Sequence, residues 1–283
     1  MKSSVTDSRA RAEPVPQVSL GRLRVSRMLI GGNPFSGFSH QGVARDAEMI
    51  RYYTTDHIKA VLREAEGLGI NTFLGRADRH VARFLREYWD EGGRIQWFAQ
   101  TASELASLEA SINLAIASGA HAVYIHGGKM DWLHAAGELD QAAAGVEQIR
   151  RAGLTAGIAG HRPAVFAWAE ARKLDVDFYM CSYYDPAPRT DNPMYDPTAG
   201  ETYSTEDRDA MVAAIPTFSK PAIHYKVLAG GRTPPAEAFA FVRRHLRPED
   251  AVCVGIYAGD KPGLIQEDLR LLLGPRRGKE RTP

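Results

Sequence analysis

Cysteine is scarce in this chain. Two stand among 283 residues, Cys181 and Cys253, each inside an apolar run and without the spacing of a metal-binding pair. The expectation is two buried free thiols in a reducing compartment, not a disulfide framework. Excess charge of one sign is missing too: 35 Lys and Arg face 34 Asp and Glu, a formal +1. A nucleic-acid binder or a protein of anionic membrane surfaces needs a large positive field, so neither partner is expected. No apolar run approaches the ~18 residues that a membrane-crossing helix requires. The opening "MKSSVTDSRARAEPVPQ" has no apolar core, so it does not read as a secretory signal. These absences point to a soluble, cytoplasmic protein. Absent as well are GxSxG, a Walker A loop and a glycine-rich strand-to-helix fingerprint; "LAGGR" has glycines without the GxGxxG spacing.

What is present is a core and a rhythm. The hydrophobic share, 44%, suits a globular protein with a substantial interior. Short β-rich runs recur over Met28–Asn33, Ile70–Gly75, Ile95–Gln100, Ala122–Gly127, Thr155–Gly160, Asp177–Tyr183, Pro221–Val227 and Ala251–Ile256. Runs such as "YIHG", "AGIAG" and "VCVGI" are almost wholly small or β-branched, as in parallel strands buried on both faces. Helical patterns fall between them, from "TTDHIKAVLREAEGLG", opened by a capping Thr, to "PGLIQEDLRLLL". Pro163, Pro234, Pro235 and Pro262 sit where a first helical turn tolerates proline, and Ser204 with Asp207 suggests a helix start.

Eight strand–helix units in series predict a single α/β domain, a (β/α)8 TIM barrel over residues 17–273. "QVSLGRLRVSR" predicts an N-terminal hairpin turning at Gly21, and residues 1–16 and 274–283 read as flexible tails, the second basic. Two connections are long, Pro34 to Thr54 and Tyr184 to Tyr203. The second is rich in Tyr, Pro and Asp, a composition better suited to a lid or substrate wall than to a spacer.

In a barrel of this kind the chemistry gathers at the C-terminal ends of the strands. Those ends offer Asn33, Arg76 with Asp78, Gln100, His126, His161, Tyr184 with Asp185, and then His224, Tyr225 and Lys226. Polar groups ending apolar strands cost desolvation unless they are satisfied, so their convergence is informative. A neutral imidazole at His126 can donate to or accept from a substrate oxygen. His161, before Pro163, either caps the next helix or points into the mouth. Lys226 alternates with His224, so both should face one side of the strand. If inward, Lys226 is a base or Schiff-base nucleophile; otherwise it is a paired ammonium. Arg76 has a matching choice between structural pairing and holding a substrate carboxylate, phosphate or hydroxyl. His126 and His161 could also share a divalent metal if Asp78, Cys181 or Asp185 supplied a third ligand.

The order of these segments resembles the aldo-keto reductase superfamily. "SLGRLRVSRMLIGGNPF" is similar to that family's entry hairpin and first strand, and "GINTFLGRA" to its GxNxFDTA phrase. "YIHGGKMD" resembles the segment with the catalytic histidine. "AGLTAGIAGHRPAVFAWA", "HYKVLAGGR" and "KPGLIQEDLRLL" resemble later family segments in the same order, over residues 18–273. The resemblance implies a barrel, a nicotinamide cofactor such as NADP, and a Tyr proton donor tuned by Lys, Asp and His. Only His126 matches that catalytic set. Leu74 stands at the aspartate position, Arg79 at the tyrosine, and Gln100 and Thr101 near the lysine. Ala159-Gly160 and Cys181 replace carboxamide contacts, whereas Tyr225 matches the nicotinamide-stacking tyrosine and Lys261 lies where a phosphate would approach.

An arginine, always charged, cannot donate the proton that carbonyl reduction needs. The expectation is therefore a non-redox lyase, isomerase or epimerase working on a small oxygen-rich carbonyl or sugar-like substrate. His126, His161 and Lys226 would move protons, with Asn33, Arg76, Asp78, Gln100, Tyr184, His224 and Tyr225 binding substrate. An atypical NAD(P)H-dependent reductase and a non-catalytic binding barrel are the alternatives.

Overall fold

The computed structural model describes residues 15–102, 105, 107–187 and 200–274. Residues 1–14 and 275–283 of the expected tails, and most of the second long connection, lie outside them, whereas Val15, expected in the first tail, is buried in the core. Two short strands, β1 (Gln17–Leu20) and β2 (Leu23–Ser26), pair antiparallel around Gly21, whose φ of 56° is one that glycine adopts without a Cβ penalty. Eight more strands follow: β3 (Met28–Gly31), β4 (Thr72–Arg76), β5 (Gln96–Gln100), β6 (Ala122–Ile125), β7 (Thr155–Gly160), β8 (Phe178–Ser182), β9 (Ala222–Tyr225) and β10 (Ala251–Gly255). They close into a parallel barrel in which β10 pairs with both β9 and β3. Each expected strand is present, within a residue or two at most ends.

Alternation along these strands sorts side chains into two cores. Leu29, Leu74, Phe98, Tyr124, Phe178, Met180, Ile223 and Cys253 fill the barrel interior. Their neighbours, among them Ile30, Phe73, Trp97, Val123, Tyr179, Cys181 and Val252, pack outward against the helices. This is the period of two that a pleated strand imposes.

The hairpin belongs to the inner core. Val18, Leu20 and Val25 pack with the interior side chains. Asn71 and Gln96, at the starts of β4 and β5, donate side-chain hydrogen bonds to the Arg24 carbonyl at 3.0 and 2.9 Å. The hairpin therefore closes the N-terminal end of the barrel, and the opposite end carries the mouth.

The helices are α1 (Val43–Tyr52), α2 (Thr55–Gly67), α3 (Arg79–Asp90), α4 (Leu108–Ala117) and α5 (Gly127–Ala136), then α6 (Asp140–Arg151), α7 (Pro163–Ala171), α8 (Thr205–Ala214), α9 (Pro235–His245) and α10 (Leu264–Leu273). Thr54 caps α2 by accepting the His57 N–H at 3.3 Å. Ser204 caps α8 through the Glu206 N–H at 3.1 Å. Asp207 does not complete a capping box; it accepts the Asp185 N–H at 3.3 Å. Three of these helices are additional to the helical patterns read from the sequence. α5 opens on Gly127-Gly128, poor helix formers. α3 buries Val81, Phe84, Leu85 and Tyr88, which recur three and four residues apart. α1 lies inside the connection Pro34–Thr54. Among the described residues no helix is long and apolar enough to cross a membrane.

Candidate active site

A cavity of about 670 Å³ occupies the mouth and runs from the barrel axis to α10. Asn33, Arg76, Gln100, His126, His161, Tyr225 and Lys226 all line it, so seven expected side chains do come together.

The best-defined group sits where β6, β7 and β9 end. His161, 8% exposed, brings Nδ1 to 2.6 Å from the Asp131 carboxylate, and its backbone N–H donates to the other oxygen at 3.2 Å. A carboxylate only accepts, so the neutral imidazole carries its proton on Nδ1 and turns an Nε2 lone pair outward. The Tyr225 hydroxyl stands 3.3 Å from that Nε2. Burial, with the Asp131 charge adding to it, pushes the Tyr225 phenol well above its ordinary value and keeps it a proton donor. The aromatic rings meet edge-on. Backbone room for this pair comes from Gly127, where a Cβ would lie 3.0 Å from both the Tyr225 hydroxyl and His161 Cε1. Thus His161 points into the mouth and does not cap α7, whose start has no side-chain cap. Asp131, in α5, was not singled out by sequence; its only signal is its nearness to His126 in "HGGKMD".

A second group begins one residue past Tyr225, at the end of β9. Lys226 Nζ is 3.0 Å from His40 Nε2, and His40 Nδ1 is 2.8 Å from Glu201. Glu201 also accepts the Tyr203 hydroxyl at 2.9 Å, and the Asn33 amide nitrogen is 3.4 Å from His40 Nε2. Burial, reinforced by the neighbouring Lys226 charge, lowers His40 to about 4, so the ring is neutral at pH 7. Burial alone would raise Glu201, but the His40 hydrogen bond and the nearby charges bring it down to about 2.

The expected facing of Lys226 and His224 needs correction. His224 is fully buried between barrel and helices, with Nδ1 3.0 Å from the Tyr183 hydroxyl and Nε2 3.2 Å from Asp250. Asp250 accepts from the Ala222 N–H and from Arg247 as well, and these bonds hold its carboxyl far below the usual range despite burial. His224 therefore braces β9 and does not reach substrate. Alternation fails because Lys226 has a φ of 57°, a left-handed conformation that turns its side chain into the mouth.

Two further expected contacts take structural roles. Asp78 caps α3 by accepting the Val81 N–H at 2.9 Å and receives Arg76 Nε at 3.1 Å. Tyr184 is buried against Tyr203, with ring centres 5.3 Å apart. Arg76 lines the cavity with its guanidinium 4.8 Å above the Phe38 ring, and Gln100 accepts the Tyr124 hydroxyl at 3.0 Å. Arg79 is an exposed residue of α3, outside the site.

The third metal ligand does not materialise. Cys181 faces the helix layer, Asp78 is engaged as a cap, and Asp185 pairs with Arg162 at 2.8 Å. Among the described residues no group of three or more His, Cys, Asp or Glu could hold a metal ion. The two thiols are free and buried, with Cys253 pushed up to about 12 by burial.

At its outer end the cavity reaches Tyr257, Lys261 and Asp268. Lys261 is paired with Glu267. Burial, with the Glu267 charge adding to it, pushes the Asp268 carboxyl up to about 7.

Neither a family model nor a curated protein matches this chain. Solved structures do. The apo form of Gox0644 superposes with a TM-score of 0.59 at 11% identity, covering 92% of this chain and 88% of that one. The Amycolatopsis orientalis BexX/CysO complex gives 0.55 at 14%, covering 92% and 95%. An archaeal fructose-1,6-bisphosphate aldolase gives 0.48 at 13%, covering 87% and 92%, too weak to add to the comparison. At these identities the likeness is one of fold: a TIM-type barrel.

Proposed function

We propose that this barrel is a non-redox acid/base enzyme, a lyase or isomerase acting on a small oxygen-rich carbonyl or sugar-like substrate. The observation that carries the reading is the Tyr225–His161–Asp131 chain at the wall of the mouth cavity. Asp131 fixes the tautomer, His161 takes or returns a proton at Nε2, and Tyr225 donates to the substrate carbonyl oxygen. His126, on the neighbouring strand end and lining the same cavity, serves as the opposite acid/base group. Arg76, Asn33 and Gln100 orient oxygens. A buried phenol facing a carbonyl stabilises the enolate that forms when an α-proton leaves.

The test is hydrogen exchange in D2O, followed by proton NMR across aldoses, ketoses and 2-keto acids. Wild type should wash deuterium into the carbon next to one carbonyl, and His161→Ala should slow this by about two orders of magnitude or more. A wild type that exchanges none of them, or a variant that matches it, overturns the reading.

One observation favours a second reading, an atypical NAD(P)H-dependent reductase. The cavity extends past the mouth to Lys261, and Tyr225 is a proton donor in its own right. Tight NADPH binding with substrate-dependent oxidation would establish that reading in place of the first.

A further inference from the structure

Lys226, His40 and Glu201 come from three distant segments: the end of β9, the connection after β3 and the connection before α8. Sequence separations of 186 and 161 residues mean that only the closed barrel brings them together. We infer that they form a nucleophile, base and orienter, and that Lys226 Nζ captures the substrate carbonyl as an imine. This rests on the reading of the cavity as the site of a carbonyl substrate and names the covalent form that substrate takes.

Three features support it. Lys226 Nζ stands 3.0 Å from an imidazole nitrogen, within reach for proton transfer. Glu201 can only accept, so His40 holds its proton on Nδ1 and aims the Nε2 lone pair at the amine. Base within reach of nucleophile, and carboxylate orienting base, is the arrangement that activates a weak nucleophile. His40 and Glu201 are enclosed, with side chains 13% and 7% exposed, so water competes little for these bonds. Finally, both partners of the contact hold left-handed backbone, with φ of 60° at His40 and 57° at Lys226. Neither is glycine, and such strain persists where surrounding structure imposes it, commonly at functional sites.

The chemistry balances without an oxidant or reductant. An Nζ proton passes to His40 Nε2, whose new charge Glu201 offsets. The amine lone pair then forms a bond to the carbonyl carbon while the π pair moves to oxygen, which takes a proton from Tyr225. The second Nζ proton restores Tyr225, His40 gives its proton to the carbinolamine hydroxyl, and that hydroxyl leaves as water as the C=N bond forms. In sum an ammonium and a carbonyl become an iminium and water. The iminium then withdraws electrons from the adjacent carbon, acidifying its C–H bond or weakening its C–C bond. The neutral state of His40 at pH 7 keeps the accepting lone pair available.

The test is borohydride trapping on the full-length protein, with glyoxylate, pyruvate, dihydroxyacetone and glyceraldehyde as probes, read by peptide mass mapping. At least one probe should give a reduced adduct concentrated on Lys226. Lys226→Arg, which keeps the charge, should lose it. His40→Gln and Glu201→Gln should slow trapping roughly a hundredfold at neutral pH. They should also move its pH midpoint upward by about a unit or more, a shift that a packing defect would not produce. No Lys226 adduct with any probe, adducts spread evenly over surface lysines, or unchanged pH midpoints would overturn the proposal. His161→Ala separates the two ideas. Trapping retained with α-proton exchange lost supports both. Trapping without exchange in wild type leaves the triad standing and removes the relay, and exchange retained in Lys226→Arg does the reverse.

Discussion

The Tyr225 hydroxyl and His161 Nε2, 3.3 Å apart, join two strand ends, β9 and β7, that are not neighbours in the barrel. The link spans the end of β8 along the wall of the mouth, and the imidazole that makes it is fixed from behind by Asp131 at 2.6 Å. Asp131→Asn should therefore keep the fold and lose the function. An amide can donate as well as accept, so His161 no longer has one enforced tautomer. The expected fall in kcat/KM is about a hundredfold or more, with an unchanged circular dichroism spectrum. An Asn variant as active as wild type would remove the carboxylate from the relay.

Gly127→Ala tests the same pair by sterics. The added methyl would sit 3.0 Å from both Tyr225 oxygen and His161 Cε1, closer than nearly all real contacts of that kind. The two rings must part by a few tenths of an ångström. Activity should drop roughly tenfold or more, because proton transfer depends on that separation, while stability changes by only about 1 kcal/mol.

His40 predicts a pH dependence of stability. Its folded value is about 4, below an unfolded value of 6.5. Between those values the unfolded chain binds more protons, so stability rises with pH there. The contribution is complete above about 6.5 and is lost as pH falls towards about 4. Urea midpoints of wild type should decline across that window more steeply than those of His40→Asn. Parallel slopes would mean that His40 titrates normally.

Asp268 predicts the opposite sign. Its folded value of about 7 lies above the unfolded 3.8, so the folded state binds more protons between them. Stability is complete below about 3.8 and falls as pH rises through about 7. Asp268→Asn should thus raise the melting temperature most at pH 8, by less at pH 5, and hardly at all below about 3.8. At 1.36 kcal/mol per pKa unit the gain is on the order of a few kcal/mol. A variant no more stable at pH 8 would contradict a buried, reluctant carboxylate.

Barrel strands were legible because both of their faces are buried: "AGIAG" and "VCVGI" carry the evidence in composition alone. The hairpin at Gly21 was legible for its local turn chemistry. The helix α5 was not, since Gly127 and Gly128 weaken the local signal and tertiary packing overrides it. The site was half legible. Strand ends announced Asn33, Arg76, Gln100, His126, His161, Tyr225 and Lys226, all of which line the cavity. What periodicity could not give was a break in periodicity: the left-handed Lys226 parts company with His224. Nor could spacing reveal Asp131, His40 and Glu201, because their partners lie 30, 186 and 161 residues away.

The hairpin floor has a kinetic consequence. With the barrel interior filled by side chains such as Phe98 and Phe178, and the hairpin packed beneath them, substrate and product pass through the mouth. Under the lyase form of the proposal, the fragment nearer the rim has to depart before the deeper one can follow. Release is then ordered, and the fragment that leaves last competes with incoming substrate for the empty site. Inhibition patterns of the two products should differ accordingly: competitive for the deeper one, noncompetitive for the other.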